Sequence, residues 1–183
     1  MNLEKLFQTQ KVLRDRIGYN EPDRFNKLIL ALLVELGECA NEWRGFKFWS
    51  QNQQPTIKQA RAPYMDLDDA EFYNPLLEEY VDGLHFVLEL GLDLDIYYYL
   101  KLLTFTTVGE ERSVTSLFNS IFESVTTLLT HHNDGSITTG YTYEVLVDEY
   151  LTLGAMLGFT WEEVEQAYFA KNQINHQRQE VGY

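Results

Sequence analysis

Apolar residues recur at the spacing of an α-helix along most of the chain. In the first segment, Leu6, Leu13 and Ile17 fall on one face together with Gln10, and Gly18 is a typical helix end. The same periodicity, interrupted by glycine, proline and polar clusters, predicts further helices. The predicted helices cover residues 3–17, 22–43, 76–90, 96–107, 114–129, 143–157 and 160–179. The predicted fold class is therefore all-α, a helical bundle.

Several of these helices carry recognisable boundary signals. Gly91 and Gly158 are predicted to end the helices that precede them, because glycine is favoured just after the last helical turn. Thr160 and Glu163 form a capping-box pattern, which predicts the start of the last helix.

The second helix and two connections have unusual composition. Residues 28–34 are all apolar, so this part of the second helix is predicted to be buried on all sides. Residues 45–75 contain three of the four prolines and a polar, acidic stretch, and residues 131–143 are rich in turn-forming residues. Both are predicted to be irregular. A long irregular connection inside a compact domain is often functional.

Composition limits the kinds of protein that this sequence can encode. With 183 residues, the chain is predicted to form a single domain over 1–183. The excess of 28 acidic over 14 basic residues argues against binding a nucleic acid polymer. No stretch approaches the ~18 apolar residues that a membrane span requires. A single cysteine, Cys39, and an N-terminus without a signal-peptide core favour a cytoplasmic protein.

The second helix carries acidic residues where its sequence is otherwise most hydrophobic. Glu35, Glu38 and Glu42 follow the apolar run at positions i, i+3 and i+7, which places them on one face of the helix. Glutamates on helices are usually solvated, and that interpretation stays open. A carboxylate in a buried helix must instead be paired, protonated or bound to metal.

The third helix repeats this arrangement with Glu79 and Asp82, again at i and i+3. Its alternative interpretation is a narrow solvated stripe. That stripe would contain Glu78, Asp82, His85 and Glu89. It leaves Glu79 unexplained, whereas two carboxylate pairs on facing helices form the oxygen-rich ligand set that Mg²⁺ or Mn²⁺ prefers. A bound metal would let an acidic protein accept a nucleoside triphosphate.

Two segments supply candidate positive groups. Lys47 and Trp49 follow the acidic helix directly, although packing and a surface charge would explain them equally well. In the last helix, the core-facing stripe becomes polar at Lys171, Asn175 and Arg178. A solvated helix end is one interpretation; the other is a polar wall over a nucleotide site.

Together these segments resemble a known family. The sequence has ExxE in one helix and ExxD in a later one, within ELGECANEWRGFKFWS and LLEEYVDGLHFVLELGL, followed by AKNQINHQRQEVGY near the C-terminus. These motifs resemble the all-α, MazG-like nucleoside triphosphate pyrophosphohydrolases, and within them the dimeric dUTPases. Members from phages and Gram-positive bacteria are the most similar in kind. The segment at about 108–140 has no clear family motif and is expected to be a lineage-specific variable segment.

The resemblance implies roles for individual residues. It implies Mg²⁺ ligation by Glu35, Glu38, Glu79 and Asp82, with Mn²⁺ as a substitute. The two glutamates of the second helix are the catalytic candidates, and Glu35 is expected to accept the proton of the attacking water. Binding of the substrate is implied for a further group of residues. These are Gln10, Lys47, Trp49, Lys171, Asn175 and Arg178.

The expected function is a Mg²⁺-dependent dUTP diphosphatase that makes dUMP and pyrophosphate and also accepts dUDP. We expect a homodimer in the cytoplasm, the host's if the gene is carried by a phage, and a regulatory protein partner is left open. One alternative is a MazG-like pyrophosphohydrolase with another base preference, such as dCTP. A more distant alternative is a helical interaction protein without enzymatic activity.

Overall fold

A computed structural model describes residues 2–61, 70–96 and 112–182 of the protein. Within these ranges the chain forms six helices and two very short strands. The helices are α1 (Leu3–Ile17), α2 (Arg24–Trp43), α3 (Pro75–Asp93), α4 (Val114–Asn133), α5 (Thr139–Met156) and α6 (Trp161–Glu180). The strands are β1 (Gln59–Ala60) and β2 (Phe72–Tyr73). The predicted all-α fold class is confirmed. The helix predicted over 96–107 lies almost entirely outside the described residues.

Helix α3 lies at the centre of the bundle and packs against α1, α2, α5 and α6. It is hydrophobic around most of its circumference, as expected for a helix with neighbours on several sides. A single cluster of buried apolar residues draws on all six helices. Helix α4, which lies inside the predicted variable segment, contributes Leu117, Ile121, Val125 and Leu128 to this core. The predicted metal ligands of α3 therefore lie on a helix that is packed against four others.

Local signals explain most of the helix ends. Gly18 follows α1 with a φ of 63°, a left-handed conformation that glycine adopts without steric cost. The Thr160 side chain accepts from the Glu163 backbone N–H, while the Glu163 carboxylate accepts from the Thr160 backbone N–H at 2.8 Å. The capping box predicted from the sequence is thus confirmed, and α6 begins where expected.

Three helix boundaries predicted from the sequence are wrong: the ends of α3 and α4 and the start of α5. Gly91 does not end the third helix, because α3 continues to Asp93. A Cβ at Gly91 would overlap the hydroxyl of Tyr143, which donates a hydrogen bond to the Val87 carbonyl at 2.9 Å, so this glycine serves close helix packing instead. The loop predicted at 131–143 is also shorter, since α4 reaches Asn133 and α5 begins at Thr139.

The apolar run of α2 is not buried on all sides. Ile29 and Leu32 are buried, but Leu30 is 63% exposed and Val34 is 48% exposed. Helix α2 is therefore amphipathic within the chain, and an apolar stripe on its outer face is left uncovered by the described residues.

The connection between α2 and α3 is largely irregular, as predicted, except for a minimal hairpin. Gln59 pairs with Tyr73 and Ala60 with Phe72 in antiparallel register. The backbone N–H of Leu76 donates to the Thr56 carbonyl, and the backbone N–H of Thr56 donates to the Glu42 carbonyl. These bonds tie the start of α3 to the end of α2, the two helices that carry the predicted metal ligands.

Candidate active site

Three carboxylates from α2 and α3 meet on one side of the bundle. One oxygen each from Glu35, Glu79 and Asp82 lies within 4.8 Å of the others. All three residues are partly buried. Because Glu79 and Asp82 are separated by nearly one helical turn and Glu35 faces them from α2, the helix packing brings these oxygens together.

The environment of these groups favours their protonated form. Burial raises the pKa of Glu35 to about 7, and the charges of Asp82 and Glu38 act in the same direction. Burial likewise raises the pKa of Glu79 to about 8, with contributions from the neighbouring carboxylates and from a hydrogen bond with Glu38. A cation bound between such crowded carboxylates would stabilise their ionised forms.

Glu38 lies at the edge of this cluster. Its side chain is exposed, and its carboxyl group helps to raise the pKa of Glu79. Glu42, the third acidic residue of the α2 face, lies one turn further along the helix. The structure therefore brings together Glu35, Glu79 and Asp82, with Glu38 next to them. Ligation by all four residues stays a prediction.

Lys171 of α6 is the cation closest to this cluster among the described contacts. Its Nζ donates to Asp82 at 2.5 Å and to Glu78 at 3.2 Å. Burial lowers the pKa of Lys171, but the bonds to the two carboxylates outweigh burial and raise it overall. Burial raises the pKa of Asp82, and Lys171 opposes that increase. In this arrangement Lys171 neutralises a carboxylate of the predicted metal site.

A cavity of about 400 Å³ lies between α1, α2, α3 and α6, and none of the cluster carboxylates lines it. Its size is within the range of small-ligand sites. The predicted substrate-binding residues Gln10, Asn175 and Arg178 line it, and Arg178 donates to the side-chain Oδ1 of Asn175 at 3.4 Å. His85 and Glu89 line the same cavity, one and two turns after Asp82 on α3.

One wall of the cavity is a buried polar network centred on Gln10. The Gln10 Oε1 accepts hydrogen bonds from the Tyr168 hydroxyl and from His85 Nδ1, both at 2.8 Å. The Gln10 Nε2 donates to Glu89 Oε2 at 2.8 Å, and Arg24 donates to the other oxygen of Glu89. The solvated stripe considered for α3 is therefore wrong at His85 and Glu89, which are both buried.

Two buried polar residues, His85 in this wall and Asn172 of α6, are not among the predicted site residues. His85 stacks on the Tyr168 ring, and burial lowers its pKa to about 3, so the imidazole is neutral. Its Nε2 and the Nδ2 of Asn172 are buried without a hydrogen-bond partner among the described residues. The buried stripe of α6 runs through Val164, Tyr168 and Asn172, and the helical spacing from Tyr168 was the available signal for Asn172.

The structure does not bring every predicted substrate-binding residue to the cavity. Lys47 donates to the Asn41 carbonyl at 3.1 Å, just after the end of α2. Trp49 is 66% exposed and contacts the rings of Phe46 and Phe48 edge-on. Neither residue lines the described cavity. Their roles in binding the substrate stay predictions.

The donor set fits a divalent metal ion. Three carboxylate oxygens within 4.8 Å are hard ligands of the type that Mg²⁺ and Mn²⁺ accept. Burial raises the pKa values of Glu35 and Glu79, and the neighbouring carboxylates raise them further. The site therefore combines a predicted metal cluster with a cavity further along α3 that offers amide and cationic groups.

Comparison with known proteins identifies a family. A protein-family model described as dUTPase matches residues 2–67 and 68–183, which together span nearly the whole chain. A search of curated proteins returns no match. None of the helices in the described parts of the chain has the length and hydrophobicity needed to cross a bilayer.

Proposed function

The chain belongs to the all-α dUTPase family, and we propose that it hydrolyses dUTP, and also dUDP, to dUMP in a Mg²⁺-dependent reaction. The family supports a dUTP diphosphatase, which is a nucleoside triphosphate pyrophosphohydrolase. The observation that carries the metal dependence is the convergence of Glu35, Glu79 and Asp82, two of which lie on α3, the helix that also contributes His85 and Glu89 to a nucleotide-sized cavity.

The proposed metal ligands are Glu35, Glu79 and Asp82, with Glu38 completing the set. A bound divalent ion would supply positive charge for the phosphate oxygens and acidify the attacking water. Glu35 is the proposed proton acceptor, because its carboxylate faces Glu79 and Asp82 from α2, where a water activated by the bound ion would lie. The chain's own task is then to hold these carboxylates on two packed helices and to receive that proton.

The cavity between α1, α2, α3 and α6 is the proposed nucleoside site. Gln10 and Asn175 offer side-chain amides that can read a pyrimidine edge, and Arg178 offers a planar cation for phosphate oxygens. Lys171 would exchange its contact with Asp82 for a phosphate when metal and substrate bind. The proposal places the base near Gln10 and the phosphates towards the carboxylate cluster.

Steady-state kinetics on a nucleotide panel tests the substrate. We expect kcat/KM for dUTP to exceed that for dCTP by about 10⁴-fold, because a site built to hydrogen-bond one base edge leaves the wrong base with unpaired polar groups. The values for dTTP and UTP should also be much lower, and dUDP should be hydrolysed. A dCTP value within tenfold of dUTP would replace this assignment with a pyrophosphohydrolase of broader base preference.

A pair of charge-neutralising variants tests the metal site. Glu79→Gln should lower kcat at saturating Mg²⁺ by at least about a hundredfold, ~2.7 kcal/mol of barrier, because a neutral amide is a poor hard ligand. Glu42→Gln makes the same chemical change on the α2 face outside the cluster and should retain parental activity. Equal activity of both variants would remove Glu79 from the site.

We also propose that the protein is a homodimer. The apolar side chains of Leu30 and Val34 on the outer face of α2 support this proposal, since a second copy would remove them from water. Light scattering coupled to size-exclusion chromatography should give twice the chain mass. Leu30→Asn should shift that mass towards the monomer, and a parental protein with the mass of one chain would refute the proposal.

A further inference from the structure

Glu89 is a buried carboxylate that the proposed metal site does not use. Glu89 lies on α3 two turns after Asp82 and is only 5% exposed. Both of its carboxylate oxygens accept hydrogen bonds. Arg24 of α2 donates to Oε1, and Gln10 of α1 donates to Oε2 at 2.8 Å. Arg24 also pairs with Asp93 at 3.5 Å. A charge buried at this depth is costly unless its partners are well placed.

The amide of Gln10 has two orientations, and most of its partners accept either one. In the observed orientation Oε1 faces the Tyr168 hydroxyl and His85 Nδ1, while Nε2 faces Glu89. A hydroxyl can accept as well as donate, and the Leu6 carbonyl lies 3.4 Å from the Tyr168 hydroxyl as another acceptor for its proton. The neutral imidazole of His85 can exchange tautomers, which converts Nδ1 into an acceptor.

Only Glu89 distinguishes the two orientations within this network. An ionised carboxylate accepts hydrogen bonds and donates none, so the reversed amide would place two acceptors against each other in a buried site. Burial raises the pKa of Glu89, whereas the Gln10 hydrogen bond and the charges of Arg24 and Arg14 lower it. The Arg24 contact thus helps to keep Glu89 ionised in its buried position.

We infer that Glu89, held by Arg24, is a positioning residue that fixes the Gln10 amide with its N–H groups directed for a pyrimidine 4-carbonyl, and so selects uracil over cytosine. The inference rests on the proposed nucleoside site. Gln10 Nε2 carries two N–H groups, of which the bond to Glu89 uses one. Uracil presents an acceptor at C4, which matches the remaining donor, whereas cytosine presents an amino group, which opposes it.

Glu89→Gln tests this inference directly. A glutamine at this position can accept or donate, so either orientation of Gln10 becomes satisfied. We expect the ratio of kcat/KM for dUTP to that for dCTP to fall at least tenfold, with dCTP gaining relative to dUTP. The same ratio from the parental protein, measured in parallel, is the reference.

Glu149→Gln is the matched control. Glu149 is also a buried carboxylate, 7% exposed, on α5, and it accepts hydrogen bonds from Ser120, Ser124 and Arg112. It lines no part of the described cavity. The same substitution there should leave the dUTP to dCTP ratio within twofold of the parent, even if it lowers stability.

Arg24→Met provides a second route if Glu89→Gln does not fold, as judged by circular dichroism. Without its counter-ion, the buried Glu89 would take up a proton and could donate to Gln10, so the ratio should again fall at least tenfold. If dUTP and dCTP lose efficiency in equal proportion, so that the ratio stays within threefold, the residues are merely structural and the inference is wrong. A parental protein that does not prefer dUTP refutes the proposed function instead.

Discussion

At the scale of single residues, the site is governed by the burial of carboxylates, by repulsion between them, and by Lys171, which relieves part of it. Glu35 and Glu79 have pKa values raised to about 7 and about 8 because they are desolvated beside further acidic groups. Lys171 bridges Asp82 and Glu78 and is itself largely buried. The ammonium group and a metal ion would therefore compete for Asp82.

Lys171→Met should separate the competition of Lys171 with a metal ion from its proposed contact with the substrate phosphate. Loss of the ammonium group should tighten Mn²⁺ binding in the absence of nucleotide by about tenfold, ~1.4 kcal/mol, because Asp82 is no longer occupied and the local negative charge increases. Hydrolysis of dUTP should nevertheless fall, since a phosphate contact is lost. Isothermal titration with Mn²⁺ alone measures the first effect.

Lys58→Met is the control for the change in net charge. Lys58 lies over the Phe72 ring on the exposed hairpin and contacts none of the site carboxylates in the described contacts. Its replacement should leave Mn²⁺ affinity unchanged. Weaker Mn²⁺ binding by Lys171→Met would mean that the lysine holds Asp82 in position for the metal instead of competing with it.

At the scale of helices, α3 is fixed against α5 by tyrosines that pack on glycines. The Tyr150 hydroxyl donates to the Tyr80 carbonyl at 2.7 Å, and the Tyr80 hydroxyl donates to the Tyr150 carbonyl at 3.1 Å. The two rings stack with their centroids 4.9 Å apart. A Cβ at Gly83 would overlap the Tyr150 hydroxyl, and one at Gly154 would overlap the Tyr80 hydroxyl. The glycines allow this close approach.

Gly83→Ala should therefore destabilise the protein despite the higher helix propensity of alanine. We expect a loss of about 1–3 kcal/mol in the free energy of unfolding, the usual cost of overpacking a core. Melting temperature follows at roughly 2–4 °C per kcal/mol for a chain of this size. Differential scanning calorimetry without metal or nucleotide measures it.

Gly140→Ala is the matched substitution at an open position. It lies in the first turn of α5, and a Cβ there meets no atom within 4 Å. This variant should melt at the parental temperature or slightly above, because alanine restricts the unfolded chain. If Gly83→Ala also melted at or above the parental temperature, Gly83 would not be in close contact with Tyr150 of α5.

At the scale of the whole molecule, the site carboxylates make stability depend on pH. Glu79 in the folded, metal-free protein has a pKa of about 8, above the value of 4.5 expected in the unfolded chain. Between these values the folded state binds more protons than the unfolded state, so stability is fully present below about pH 4.5 and is lost as pH rises towards 8. Glu35, with a pKa of about 7, acts in the same direction.

The metal-free parent should accordingly lose stability relative to Glu79→Gln as pH rises from 5 to 8. Thermal melting in EDTA at several pH values gives this difference, and the comparison cancels contributions from other titrating groups. With excess Mg²⁺ the parent should instead gain stability with pH, because the ion binds the deprotonated carboxylates. A difference between the two proteins that is independent of pH would contradict the assigned pKa of Glu79.

Local sequence signals determined the helices and part of the site. The spacing of apolar residues predicted five of the six described helices within a few residues at most boundaries, and α5 with a start four residues late. The capping box at Thr160 and Glu163 was predictable because its hydrogen bonds join residues three positions apart. The i, i+3 spacing of Glu79 and Asp82 likewise dictates that they share a helix face, whatever surrounds the helix.

Tertiary structure alone decided which of these faces meet. Nothing near Gly91 in the sequence reveals that the hydroxyl of Tyr143 lies where a Cβ at this position would be. Nothing near Leu30 reveals that its side chain stays exposed on the outer face of α2. The partners of Gln10 lie 79 residues away at Glu89 and 158 residues away at Tyr168. Periodicity reports the direction of a side chain on its own helix, but burial and hydrogen bonding depend on the neighbouring helix, which only the packing of the whole bundle brings into place.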